Sequence, residues 1–196
     1  MKAKDRRDRI LDVAIDLAEE GGFDNVRQRD VADQAGVALG TLYKSFASKE
    51  DLLSAALERE AQMLERKMEQ RPALGPNPAE RLKALFKIVT RAMCRKPKYT
   101  RAVLRAMASG VPEVAGHVAS YQGRMNRIII AALRGADGAS PASQPSEREA
   151  TVAAYLQRIW FASLVGWSAG LHGQNDVIEQ MEKACDLLLE ATKNHK

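Results

Sequence analysis

Residues 35–46 read "AGVALGTLYKSF", and the fold turns on them. Ala35, Gly36 and Val37 have the composition of a helix stop followed by a tight turn, and the segment from Leu39 to Phe46 has the length of a short helix. At 100° per residue, Leu42 and Phe46 fall on one side of that helix, with Gly40, Thr41 and Lys44 on the other. Two short helices joined in this way make a helix-turn-helix, whose second helix is narrow enough to enter a DNA major groove about 12 Å wide. The outer residues suit that use. Glycine permits close approach, Thr41 offers a hydroxyl and a methyl, Lys44 offers a charge, and Tyr43 flanks the same face with a phenol. The same pattern also fits a plain three-helix core with Tyr43 half buried.

Working outward, helices are expected nearly everywhere. Ile10, Ala14, Leu17 and Ala18 share one stripe of a helix at about 5–20, stopped by Gly21-Gly22, with Phe23 placed to pack back on its last turn. A second helix fits 28–35. Ser48 and Asp51 mark the start of a fourth, which "RPALGPNP" ends. Further helices are expected at 79–95, 99–109, 112–134 with Pro112 at its first position, 146–171 behind a Ser146/Glu149 capping box, and 176–193 capped by Asn175. "GADGASPASQPS" between them reads as a loop. No segment alternates with period two, so the chain is expected to be all-α with about nine helices.

The 196 residues carry a formal net charge of +5, unevenly placed. Residues 81–105 hold nine basic side chains and no acidic one, whereas the first fifty residues are slightly acidic. No apolar run reaches the roughly 18 residues of a membrane span, no leader is evident, and a cytosolic protein is expected. Cys94 and Cys185 sit in helical segments without CxxC spacing and read as core thiols. His117, His172 and His195 share no metal-ligand spacing, and no GxSxG, P-loop or HExxH occurs, so neither a metal, a cofactor nor an enzymatic activity is expected.

Residues 29–53, "RDVADQAGVALGTLYKSFASKEDLL", closely resemble the DNA-binding signature of the tetracycline-repressor (TetR) family. The resemblance implies a DNA-binding domain over 1–47 and an effector-binding, dimerising domain over 48–196. Carried over by position, it places DNA contacts on Arg27 and Gln28, on Leu39, Gly40, Thr41, Tyr43, Lys44 and Ser45, and on Lys49. Three positions depart from the pattern: Arg27 and Ala38 stand where hydroxyl caps are usual, and Ser45 replaces a histidine or aromatic residue. Leu39 is divided, since helical angles put it at the edge of the buried side and family position points it toward DNA.

In the second half, Tyr155, Ile159, Trp160, Ser163, Gly166, Trp167 and Gly170 make one stripe, and Val177, Met181, Ala184, Leu188 and Ala191 a second with coiled-coil-like spacing. The resemblance makes them a four-helix homodimer interface; an intrachain core would use similar stripes. Leu82, Phe86, Met93, Leu104, Met107, Met125, Ile129, Trp160 and Leu164 are candidates for an apolar effector pocket, and equally for core filler. The basic run is either a solvated face or a mouth for an anionic group. "GTLYKSFASKEDLLSAALERE" and "RIWFASLVGWSAG" resemble a steroid-catabolism repressor branch of the family, which implies a CoA-thioester effector. The expected function is a homodimeric repressor that binds a palindromic double-stranded DNA operator and is released by a small effector. The alternative is an architectural, nucleoid-associated DNA binder with no effector.

Overall fold

The computed structural model describes residues 3–135 and 143–191. It is all-α, with no strand among the described residues. The helices are α1 (Ala3–Gly21), α2 (Gln28–Ala35), α3 (Leu39–Ser45), α4 (Lys49–Gln70), α5 (Pro78–Cys94), α6 (Pro97–Met107), α7 (Ala115–Arg134), α8 (Glu147–Ser168) and α9 (Gln174–Ala191), with 3-10 turns at Phe23–Asn25 and Pro112–Val114. Most of the loop expected at 135–146, and the last residues of the final helix, lie outside the described residues. No described helix is long and apolar enough to cross a membrane.

The chain forms two compact units, Met1–Ala61 with Lys96–Tyr121, and Gln62–Arg95 with Gln122–Lys196. This structural division differs from the functional boundary expected at 47/48, because the first half of α4, all of α6 and the start of α7 join the N-terminal helices.

In the first unit, Ile10, Ala14, Leu17 and Ala18 of α1 are buried as the stripe predicts, and α1 packs on α2 and α6. Arg59 of α4 reaches back to α1, donating to the Asp8 carbonyl at 2.7 Å and pairing with Asp12 at 2.5 Å. Ser48 caps α4 by accepting from the Asp51 N–H at 3.1 Å. The fixed φ and missing N–H of Pro97 suit a helix's first turn, so α6 begins there, two residues before the expected start. Pro112 opens the 3-10 turn ahead of α7 rather than the α-helix itself.

In the second unit, α9 packs on both α5 and α8. Asn77 caps α5, accepting from the Glu80 N–H at 3.0 Å. The Arg81 guanidinium closes the end of α7, donating to the carbonyls of Ala132 and Leu133 at 2.8 Å each. Trp160 lies 5.9 Å from Phe86 between ring centroids and donates its indole N–H to Thr90 at 2.9 Å, so its polar end is satisfied inside the core. The Ser146/Glu149 capping box is present. The cap expected at Asn175 is not: Asn175 lies inside the first turn of α9, and Asp176 instead accepts from the Gly173 N–H at 2.7 Å. At the end of α8, His172 folds back so that a Cβ on Gly166 would stand 2.4 Å from its Cε1. The ring is held there by a 2.8 Å contact from Nε2 to the Ser163 carbonyl oxygen.

Arg134 grips Glu149 with two bonds, at 2.7 and 3.0 Å. That guanidinium first, and then the Ser146 cap bonds, hold the carboxyl at about 2, against an ordinary 4.5. A depressed carboxyl stabilises the fold fully above its ordinary value and loses that contribution as pH falls toward the folded value. Thermal melting should therefore show a decrement between about pH 4.5 and pH 2 that Glu149→Gln flattens.

Candidate nucleic-acid interface

Val31, Ala32 and Ala35 bury one face of α2, and Gly36 then ends it with φ 62°. Only glycine enters that region without a Cβ penalty. Two backbone bonds close the turn, from the Gly36 N–H to Asp33 O at 3.2 Å and from the Val37 N–H to Ala32 O at 3.0 Å. These are the paired bonds of a Schellman turn, which aims the chain into α3.

On α3, Leu42 and Phe46 are fully buried, as the helical angles predict. The opposite face is open. Tyr43 is 52% exposed, Lys44 and Ser45 are exposed, and no heavy atom lies within 4 Å of where a Cβ on Gly40 would stand. Thr41 and Leu39 are half-exposed, so Leu39 does sit at the edge between the two faces. Neither Arg27 nor Ala38, each at an N-cap, makes a side-chain cap bond. Ser45 returns its hydroxyl to the Thr41 carbonyl at 3.2 Å.

Besides Ser45, two more of the expected contact residues are engaged within the chain. Gln28 donates from Nε2 to the Phe46 carbonyl at 3.0 Å, closing the end of α3. The Lys49 ammonium lies 4.0 Å above the Phe23 ring and 3.5 Å from Asp24, and Arg105 stacks on the same ring at 4.1 Å. The Arg105 hydrogen bond, more than Lys49, holds the Asp24 carboxyl below its usual range. Arg7, whose guanidinium lies 4.6 Å over Phe46, had no signal in the sequence, because 39 residues separate the partners.

Much of the basic run is likewise engaged internally. Besides Arg81, Lys83 bridges Asp186 at 2.8 Å and Glu80 at 3.1 Å, Lys96 pairs with Asp16, and Lys98 donates to the Glu20 carbonyl at 2.8 Å. Lys98, Arg101 and Arg105 rim a shallow hollow of about 320 Å³ floored by Phe23 and Ala102 in the first unit. The larger cleft of the second unit, about 670 Å³, is lined by Glu80, Glu149, Asp186 and Glu190 among others, a poor lining for an anion.

The pocket candidates are divided. Leu104 is buried and Met107 half-buried in the first unit; in the second, Leu82, Phe86, Met125, Ile129, Trp160 and Leu164 are buried and Met93 half-buried. Of the expected dimer residues, Ser163, Gly166, Trp167, Val177, Met181 and Ala184 are buried within a single chain, Leu188 is half-buried, and Tyr155 and Gly170 are exposed. The stripe faces the unit's own interior, since helical spacing marks a buried side without saying whose chain buries it.

Residues 10–56 match the model described as bacterial regulatory proteins, tetR family, and residues 75–188 that of a tetracyclin repressor-like C-terminal domain. The chain is 36% identical to the HTH-type transcriptional repressor KstR of Rhodococcus jostii (strain RHA1), over 95% of its own length and 84% of the relative's. Among solved structures, a TetR transcriptional regulator from Rhodococcus sp. RHA1 superposes with a TM-score of 0.82 at 25% identity, over 96% of this chain and 97% of that one. Thermus thermophilus FadR, a TetR-family transcriptional repressor in complex with lauroyl-CoA, shares the fold with a TM-score of 0.73 at 23% identity, over 94% and 93%. The chain belongs to the TetR family of transcriptional regulators, whose members here act on transcription and are not enzymes.

Because α3 starts without a side-chain cap, Ala38→Ser should supply an acceptor for its first free N–H groups. The expected gain is about 1 kcal/mol, read as a higher denaturation midpoint with unchanged cooperativity.

Proposed function

We propose that the protein is a homodimeric repressor of a palindromic operator, released by an apolar CoA-thioester effector. The observation that carries the reading is the two-faced recognition helix. Leu42 and Phe46 fix it to the core, while Leu39, Gly40, Thr41, Tyr43, Lys44 and Ser45 present a low, largely open surface to a groove. Arg27 at the start of α2 and Lys49 at the start of α4 supply phosphate contacts, Lys49 by leaving the Phe23 ring for a stronger anion. Gln28 contributes by holding the end of α3.

For the effector, support comes from the repressor relative and from the acyl-CoA complex of a fold relative. In this chain Phe86, Met125, Ile129, Trp160 and Leu164 are the apolar, polarisable groups that would receive an acyl or steroid body. For the dimer, Tyr155, Ala162 and Val165 of α8, with Ala169 at its C-cap, form an exposed row at spacing suited to a facing helix, which replaces the buried members of the expected set. Two copies would set paired recognition helices about 34 Å apart, one helical turn of DNA.

Footprinting with and without an acyl-CoA tests the reading: a short palindrome should be protected and then freed. An extended, sequence-independent footprint that the thioester leaves unchanged would favour an architectural role. Tyr43→Ala should weaken operator binding about thirtyfold, since one hydrogen bond of about 1 kcal/mol is lost in each half-site. Val165→Glu should shift sedimentation from dimer to monomer.

A further inference from the structure

His117, near the start of α7, lies between two carboxylates of α4. Its Nε2 is 3.0 Å from Asp51 Oδ1 and its Nδ1 is 2.6 Å from Glu58 Oε2. The other oxygen of each carboxylate is also occupied. Asp51 Oδ2 accepts from the Ala47 N–H at 2.8 Å, and Glu58 Oε1 accepts from the Ser120 hydroxyl at 2.6 Å. The ring bridges the two acidic groups, hydrogen-bonded to Glu58 and within 3.0 Å of Asp51. The chain thus runs Ser120–Glu58–His117–Asp51–Ala47, and Asp51 is almost fully buried.

Ala47 follows Phe46, the buried residue that ends the recognition helix, and precedes Ser48, the cap of α4. Asp51 therefore holds the backbone joint between these two helices, and His117 holds Asp51. We propose that His117 is a positioning residue for DNA recognition: it fixes the pose of α3 from α7, acting through Asp51 on the Ala47 amide. Without the ring, Asp51 is a buried polar group that has lost the neighbour 3.0 Å from its Oδ1, and it turns toward water to recover solvation. The joint then loses its acceptor. No atom of His117 needs to reach DNA for this to weaken binding.

The proposal rests on the DNA-binding reading, and its test separates the two. Hydrogen exchange at the Ala47 amide, measured on the intact protein without DNA, should quicken about tenfold in His117→Ala while amides inside α1 keep wild-type protection. Operator affinity, measured well below the melting temperature, should fall several-fold. In an Asp51→Asn background, His117→Gln should add nothing to either readout, because the two residues act in series. A His117→Ala protein with lower thermal stability but wild-type Ala47 exchange and operator affinity would overturn the positioning role, leaving a structural one. Additive effects of Asp51→Asn and His117→Gln would overturn the route through Asp51. If the wild-type chain protects no operator, the DNA-binding reading fails, and the exchange result still decides whether His117 holds the joint.

Discussion

A helix of seven residues cannot hold its own shape in water, because nucleation is costly and isolated helices shorter than about 12–15 residues are marginal. α3 is such a helix, and it lacks a side-chain cap. Its position is therefore set by its surroundings: the Gly36 turn at its entry, Leu42 and Phe46 beneath it, Arg7 over Phe46, and Gln28 and Asp51 at its exit. Since these groups all act from the buried side or the ends, the outer residues carry little folding duty. The surface that would face DNA is thus separable from the scaffold that aims it.

The charge distribution follows a similar division. A run of nine basic residues looks like a surplus available to a ligand or to DNA. In the fold, Arg81 and Lys98 donate to carbonyls at the ends of α7 and α1, where the helix dipole is negative, and Lys83, Lys96 and Arg105 pair with carboxylates. This pairing leaves the net +5 unchanged but makes the positive field less localised than the run implies. The proposed phosphate contacts then rest on side chains near the helix starts, of which Arg27 is exposed and Lys49 is parked on an aromatic ring.

Features governed by neighbouring residues were legible in the sequence. The bounds of α2, the stop at Gly36, the inner pair Leu42 and Phe46, and the Ser146/Glu149 box each depend on chemistry within about one helical turn. Errors arose where two local solutions differ by a residue or two, as with Gly173 and Asp176 in place of Asn175. The α8 and α9 stripes show a different limit. The same period marks a face buried by the chain itself and a face buried by a second copy, so Val177 and Met181 could not be told from dimer contacts before burial was known. The His117 bridge and the Arg7 stack were invisible for a third reason: their partners lie 59 and 39 residues away in sequence, and nothing in either neighbourhood requires the other.

The corner between α8 and α9 has a further consequence, for how this sequence can change over generations. Gly166 leaves room for the His172 ring, and the ring in turn closes the helix end through the Ser163 carbonyl. Even alanine at 166 would push that ring off its seat and away from the Ser163 carbonyl. Shrinking 172 first leaves 166 free to grow; in the reverse order the ring must give up its contact with the Ser163 carbonyl. The two positions are therefore coupled by contact, and relatives with a side chain at 166 should have a smaller or displaced residue at 172.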